Sequence, residues 1–321
     1  MSRRVLVTGG AGFIGSHVVE RFLGDGAVVH VLDNLVGGKR ENVPDAATFH
    51  RLDVGSPDAA TLVREGRFDV VVHLAAQMDV RKSVADPVYD ATVNILGTVN
   101  LLEAIRAGGG GTRLVFSSTG GAVYGDFVTP PNEETFPKDP ESPYAISKLS
   151  AEHYLAYYNR VHGLDAVALR YGNVYGPRQD PHGEAGVVAI FCSRILDGEP
   201  LTVFGDGLQT RDYVFVGDVA RATVRAATGP LPPAERLDSR AFNIGTGVAT
   251  SVIDLARRLL RAAGREVELR HAPKRPGEQQ HSVLDVRKAA EALGWRPEVS
   301  LDAGLGETFE WFAARRGRAP A

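Results

Sequence analysis

The sequence predicts an α/β protein built on a doubly wound parallel sheet, with a smaller α/β lobe supplied by the C-terminal half. Three observations carry this expectation. Short apolar runs alternate with longer helical patterns through the first half of the chain; those runs are apolar throughout; and after Tyr171 the texture changes to Gly/Pro-rich loops broken by helices. Strands without polar alternation are buried on both faces, as in a parallel sheet covered by helices. In order, "RVLVT" reads as the first strand and "FIGSHVVERFLGDG" as the helix that follows it. "VVHVLDN" is the second strand, "RLDVGSP" holds a third short strand ending at Asp53, and "DVVVHLAA" is the fourth. "VYDATVNILGTVNLLEAIRAG" and "YAISKLSAEHYLAYYNRVHG" are helices flanking the strand "RLVFSS", and "DAVALRYG" closes the series. Such alternation requires crossover helices on both faces of one sheet. Farther on, "SVIDLARRLLRAAG" has Thr250 or Ser251 as N-cap and Gly264 as its stop. The expected division gives 1–172 to the first domain, with 213–247 returning to it, and 173–212 and 248–321 to the second lobe.

Composition narrows the function classes. The chain has 321 residues and a formal charge of -3, with 36 basic and 39 acidic residues spread along it. No basic face is expected, so neither nucleic acid nor an anionic membrane is an expected partner. The single cysteine, Cys192, leaves no intramolecular disulfide and no cysteine-cluster metal site, and no metal is expected. The opening "MSRRVLVTGG" passes into a strand-like run far too short for a signal-peptide core or a membrane span. The location read from these features is cytoplasmic.

"VLVTGGAGFIGSHVVE" places Gly9, Gly12 and Gly15 in the turn between the first strand and the first helix. Glycines there permit a sharp turn, let the backbone approach a diphosphate and seat the helix on the sheet, whose N-terminal N–H groups favour an anion. Asp33 ends the second strand 18 residues beyond Gly15, near the offset of about 20 at which a carboxylate accepts hydrogen bonds from a ribose. A carboxylate repels a 2′-phosphate, so NAD is favoured over NADP, although Lys39 and Arg40 follow closely. Asp53 suits either the adenine amino group or a loop cap. "HLAA" ends the fourth strand in small residues that suit a flat cofactor, and His73 reads as a strand histidine with a satisfied partner rather than a catalyst.

In "SPYAISK", Tyr144 and Lys148 stand four apart at the start of a helix, one above the other. A neighbouring ammonium favours the phenolate, so the tyrosine can act as general base or acid. The stretch "FSSTGGAVYG" (Phe116 to Gly125) sets three hydroxyls at the end of the preceding strand. Both segments fall at the carboxyl edge of the sheet, where such folds bind ligands.

These motifs, with "DNL", "NILGTVNLLEA", "LRYGNVYGPRQ", "VFGDGLQTRDYVFVGDVA", "FNIGTG" and "RPGE", run nearly end to end. The chain resembles the extended short-chain dehydrogenase/reductases and, within them, the nucleotide-sugar 4-epimerases of the UDP-glucose 4-epimerase type. The resemblance implies a Rossmann-like fold with a nucleotide-sugar-binding lobe, tightly bound NAD, a UDP-sugar substrate and a homodimer formed by the "VYDATVNILGTVNLLEAI" and "YAISKLSAEHYLAYYNRV" helices. It implies Tyr144 as base, Lys148 on the nicotinamide ribose, and Thr119 as the hydroxyl facing the sugar, with Ser118 as its substitute and Ser117 packed on the sheet at the cofactor side. Cofactor contacts fall on Gly9, Gly12, Phe13, Ile14, Gly15, Asp33, Asn34, Asp53, Val54, Leu74, Ala75, Ala76 and Tyr171. Substrate contacts fall on Asn173, Val187, Val188, Val203, Arg211, Arg275 and Glu278.

The implied reaction is interconversion of UDP-glucose and UDP-galactose by transient oxidation at C4. Ser282 stands where glucose-restricted relatives carry tyrosine, which admits the N-acetylhexosamine pair as a further candidate. A 4,6-dehydratase is the nearest alternative, but such relatives carry an Asp-Glu pair where this chain has Gly120 and Gly121. A UDP-glucuronate 4-epimerase would want a cation facing C6; Arg178 is near in sequence, yet Asp180 and Glu184 share its loop. Arg178 reads equally as a solvated loop arginine. A reductase would exchange its cofactor in every cycle, against the Asp33 reading, and an NAD-sensing regulator is the non-enzyme alternative, in which the Tyr-Lys pair is usually lost.

Overall fold

The computed structural model describes residues 2–126, 128–181, 186–274 and 279–316. The chain runs β1 (Arg4–Thr8), α1 (Phe13–Gly24), β2 (Val28–Leu32), β3 (Thr48–His50), α2 (Pro57–Glu65), β4 (Val70–His73), α3 (Val80–Ala85), α4 (Pro87–Ala91), α5 (Gly97–Ala107), β5 (Arg113–Thr119), α6 (Pro143–His162) and β6 (Asp165–Tyr171). It continues through β7 (Asn173–Tyr175), α7 (Val187–Asp197), β8 (Leu201–Phe204), β9 (Thr210–Phe215), α8 (Val216–Thr228), β10 (Ala241–Ile244), β11 (Ala249–Ser251), α9 (Val252–Ala263), β12 (Leu269–Ala272), α10 (Arg287–Leu293) and α11 (Leu301–Arg316).

Among the described residues, seven strands form one sheet in the order β10-β6-β5-β4-β1-β2-β3, every pairing parallel. The chain starts at β1, moves outward to β3, then returns to β4 on the other side of β1. That reversal opens a crevice between the carboxyl ends of β1 and β4, the place where doubly wound sheets bind nucleotides. One face is covered by α1, α8 and α10, whose Val18, Val19, Phe22, Val219, Ala222 and Leu293 pack on Val5, Val7 and Val72. The other is covered by α2, α5 and α6. Strand residues alternate between the two layers, Leu114 and Phe116 facing α6 and Val115 facing the first, which is why the strands read as unbroken apolar runs.

The second lobe has a three-stranded sheet, β11-β9-β7, and a two-stranded one, β12-β8. Phe191, Ile195, Leu255, Leu259, Leu305 and Phe309 form its core. α9 begins with Ser251 accepting from the Asp254 N–H at 3.2 Å and ends at Gly264 in the left-handed conformation, the two caps its sequence announces.

Three details differ from the expectation. β3 ends at His50, so Asp53 lies in the following loop, where its Oδ1 accepts the Gly55 N–H at 2.9 Å. β9 pairs with β7 and β11 instead of the large sheet, and the chain rejoins that sheet only at β10. The helix expected from 88 onward is interrupted by a π-helical stretch over Thr92–Leu96 between α4 and α5. There Asn94 turns inward, accepting the Gln77 N–H at 2.9 Å and donating to Gln77 O at 2.8 Å. A wide turn at such a place is commonly functional; here it fastens the chain leaving β4 across the crevice.

Candidate active site

Gly9 makes the crevice passable. It has φ +70°, and a Cβ on it would lie 2.6 Å from Ala75 N and 2.8 Å from Leu74 C; only glycine fits both the left-handed turn and this approach of β1 to the end of β4. A Cβ on Gly15 would fall 2.1 Å from Gly9 O, so the turn and the first helical residues close on one another. Gly12 caps α1 with no side-chain hydrogen bond, which leaves that end to a ligand. At the end of β2, the Asp33 carboxylate is buried and accepts the Ala11 N–H at 3.0 Å and the Leu35 N–H at 2.8 Å. Asn34 donates to Asp53 Oδ2 at 2.9 Å. Arg40 is engaged with Val43 O and the Phe49 ring, whereas Lys39 lines the cavity beside Asp33.

Two adjoining cavities, of about 430 and 400 Å³, fill the crevice. The larger is lined by Asp33, Asn34, Asp53, Val54 and Ala75, among others. The smaller is lined by Ile14, Gly15, Ser117, Ser118, Thr119, Tyr144, Lys148, Tyr171, Asn173 and Arg211. Gly9, Gly12, Phe13, Leu74 and Ala76 line both and mark the junction. A dinucleotide fits this double chamber, since the glycine turn and the uncapped start of α1 border both cavities and a carboxylate stands at one end.

α6 delivers the reactive pair. Ser142 caps it, accepting the Ala145 N–H at 3.2 Å, and Pro143 opens its first turn. Lys148 is buried; its Nζ donates to Ser117 O at 2.9 Å and lies 4.8 Å from the Phe116 ring centre and 5.9 Å from that of Tyr144. Tyr144 itself is half-buried, as is Thr119. Ser118 alternates to the α6 side of β5 and donates to Glu152 Oε1 at 2.5 Å. Glu152 in turn holds Arg170 through Nε at 3.0 Å and Nη2 at 2.6 Å. The Ser118 hydroxyl is therefore committed to a buried structural network, while Thr119 opens on the cavity.

His73 behaves as its sequence suggests. Nδ1 meets Thr8 Oγ1 at 2.8 Å and Nε2 meets Thr98 Oγ1 at 3.1 Å. Burial, with the Lys148 charge adding to it, pushes its pKa down to about 3, so it stays neutral. Tyr171 is buried with its hydroxyl 3.0 Å from Thr223 Oγ1, and burial raises its pKa.

On the opposite wall, Asn173 and Arg211 line the smaller cavity, and Arg211 Nη1 donates to Thr210 O at 2.8 Å. Val187, Val188 and Val203 line neither cavity: Val188 and Val203 are buried within the second lobe and Val187 is half-buried at the start of α7. Arg275 and Glu278, and with them Glu184, lie outside the described residues. A Cβ on Gly121 would stand 3.6 Å from Asn173 Oδ1 and 3.9 Å from Ser282 Oγ, so Ser282 and Asn173 converge on the glycine pair. Arg178 is not a solvated loop arginine: it has φ +71°, and its Nη2 donates to Glu20 Oε2 at 2.5 Å, beside His17. Gln179, Met78 and Val80 were not singled out from the sequence, yet all three line the chambers; residues of these types in loops carry no chemical signature of their own.

A nucleotide crevice at the switch point of a doubly wound sheet, with a tyrosine-lysine pair at its mouth, defines a dinucleotide-dependent α/β enzyme. The chain belongs to the NAD dependent epimerase/dehydratase family, whose model matches residues 5–245. It is 46% identical to a UDP-glucose 4-epimerase of Mycolicibacterium smegmatis over 314 residues, 96% of this chain and 98% of the relative. The UDP-glucose 4-epimerase of Thermotoga maritima, solved with UDP-glucose, superposes with a TM-score of 0.92 at 46% identity, covering 98% of this chain and 99% of that one. The UDP-glucose 4-epimerase of Thermus thermophilus, solved with NAD, gives 0.89 at 48% identity, covering 98% and 100%.

Proposed function

We propose that the protein is a UDP-hexose 4-epimerase that uses NAD, with UDP-glucose and UDP-galactose as its principal pair and the N-acetylhexosamine pair also accepted. The observation that carries this reading is the placement of Thr119, Tyr144 and Lys148 in one cavity with Asn173 and Arg211, opposite a glycine turn shaped for a dinucleotide. Gly9, Gly12, Asp33 and Asp53 would hold NAD, which would supply the hydride acceptor and then the hydride donor for C4 of the sugar. Tyr144 removes the proton of the 4-hydroxyl and later gives it back, as a general base and then acid. Lys148, anchored on Ser117 O with its Nζ 5.9 Å from the Tyr144 ring centre, favours the phenolate. Thr119 bridges the tyrosine and the sugar hydroxyl. Arg211 and Arg275 grip the diphosphate, about which the bound ketone turns between the two transfers. Positioning in the closed crevice supplies much of the rate.

Elimination, the dehydratase reaction, needs an acid and a base at the sugar. Position 120 has no room for either, because a Cβ there would lie 2.6 Å from a Leu284 methyl and 3.0 Å from Arg170 O. We assign residues 1–172 and 213–247 to the cofactor domain and the remainder to the sugar-nucleotide lobe, a cytoplasmic location, and a homodimer. The experiment is to denature the purified protein, measure released NAD, and assay UDP-glucose, UDP-GlcNAc and UDP-glucuronate separately. About one NAD per chain and a 4-epimer from UDP-glucose are expected. Neither dinucleotide nor product would overturn the proposal, and failure with UDP-GlcNAc alone would remove the role given to Ser282.

A further inference from the structure

Gln179 belongs to the segment joining β7 to α7 and is buried, 8% exposed. Its amide Nε2 donates to Val174 O at 3.1 Å. That contact sets which end of the amide is which, since turning it over would oppose two carbonyl oxygens. The other end, Oε1, is buried without a hydrogen-bond partner, one of a few such side-chain atoms among the described residues. An acceptor buried without a partner is costly, so its persistence calls for a donor from elsewhere.

The surroundings indicate where that donor comes from. Gln179 lines both chambers of the crevice, as Gly9, Gly12, Leu74 and Ala76 do. Thr119, Asn173 and Arg211, the sugar-nucleotide side, line only one. Gln179 therefore stands beside the middle of the crevice and not at the end where the sugar reacts, its amide packed just behind the lining. A diphosphate has only acceptors; the riboses on either side of it have hydroxyl donors. The segment is also tied to α1 from outside: His17 Nε2 meets Pro177 O at 2.9 Å and Arg178 Nη2 donates to Glu20 Oε2 at 2.5 Å. Burial, with the Arg178 charge adding to it and the Pro177 and Glu20 contacts opposing, lowers the His17 pKa to about 4. Gly186 leaves room for the amide, because a Cβ there would fall 2.0 Å from Nε2.

We propose that Gln179, carried by the second lobe, accepts a hydrogen bond from a ribose hydroxyl of NAD and so holds the dinucleotide in the crevice between turnovers. This rests on the dinucleotide reading of the site. It gives the second lobe a direct hold on a cofactor otherwise bound by the first domain.

The test compares wild type, Gln179→Leu and Gln179→Glu as purified proteins, reading NAD content after denaturation, the NAD dissociation constant of the stripped protein, and UDP affinity by calorimetry. Gln179→Leu should bind NAD roughly 5- to 20-fold more weakly, as the loss of one buried hydrogen bond predicts, with UDP affinity unchanged. Gln179→Glu, protonated below its pKa, can still donate to Val174 O and accept, so it should recover most of the NAD affinity as pH falls. If wild type carries and binds NAD while Gln179→Leu matches it, or if both variants lose NAD equally at low pH, the proposal is overturned. A drop in UDP affinity with NAD retained would also overturn it. Wild type without NAD affinity would overturn the dinucleotide reading instead.

Discussion

Single residues divide into those whose chemistry is visible in their spacing and those whose role depends on what lies opposite. Tyr144 and Lys148 are of the first kind, since four residues along a helix is one turn. Thr119 and Ser118 are of the second kind: adjacent hydroxyls look alike in "FSSTGG", and only strand alternation sends Ser118 to Glu152 while Thr119 faces the cavity. Thr119→Val should lower kcat on the order of 10- to 100-fold with a much smaller change in UDP-sugar affinity, measured by steady-state kinetics beside UDP calorimetry. Equal activity would pass the role to Ser118. Tyr144→Phe should lower kcat by about 10²- to 10⁴-fold, the usual contribution of a general base, while NAD remains bound; loss of NAD with catalysis would mark the tyrosine as a binding residue only.

At the scale of elements, α6 and the ends of β5 and β6 form a unit. Tyr144, Lys148 and Glu152 follow one another at intervals of four on α6. The last is clamped by Arg170 of β6, whose side chain is fully buried and also donates to Asp238 Oδ1 at 2.7 Å and to Tyr124 Oη at 3.0 Å. Ser118 joins β5 to the same carboxylate. The clamp thus sets the rotation of the helix that presents Tyr144 to Thr119. Replacing Glu152 by Ala leaves a buried guanidinium without its closest anion, a change that costs about 3–5 kcal/mol and should lower the melting temperature by on the order of 10 °C; Glu152→Gln should cost less. A Glu152→Ala protein as heat-stable as wild type would refute the clamp. None of this was legible in the sequence, because Glu152 and Arg170 look there like an ordinary exposed helix residue and a strand terminus.

The whole molecule presents one further surface. Val84, Val88, Leu96, Ile146, Tyr157 and Val161 are exposed along α3, α4, the π-helical stretch and α6, with Val88 75% exposed. Apolar side chains that helices show to solvent in such a row suit burial against a second copy. The protein should sediment as a dimer at low micromolar concentration and Val88→Lys should shift it toward monomer; a monomeric wild type would contradict this. Among the described residues, no helix is long and apolar enough to cross a membrane. The doubly wound class of the sheet, the glycine turn, the carboxylate Asp33 at the end of the second strand and the tyrosine-lysine pair were all legible in the sequence alone. Each depends on local periodicity or on short spacings within one element or one turn. What the tertiary structure decided is which groups meet across long separations. Ser118 is taken by Glu152, Val188 packs in the second lobe's core, Arg178 is drawn to α1, and Gln179 is brought beside the crevice with an acceptor unfilled. Such meetings are set by how layers pack around a common core, and no window of the chain contains both partners.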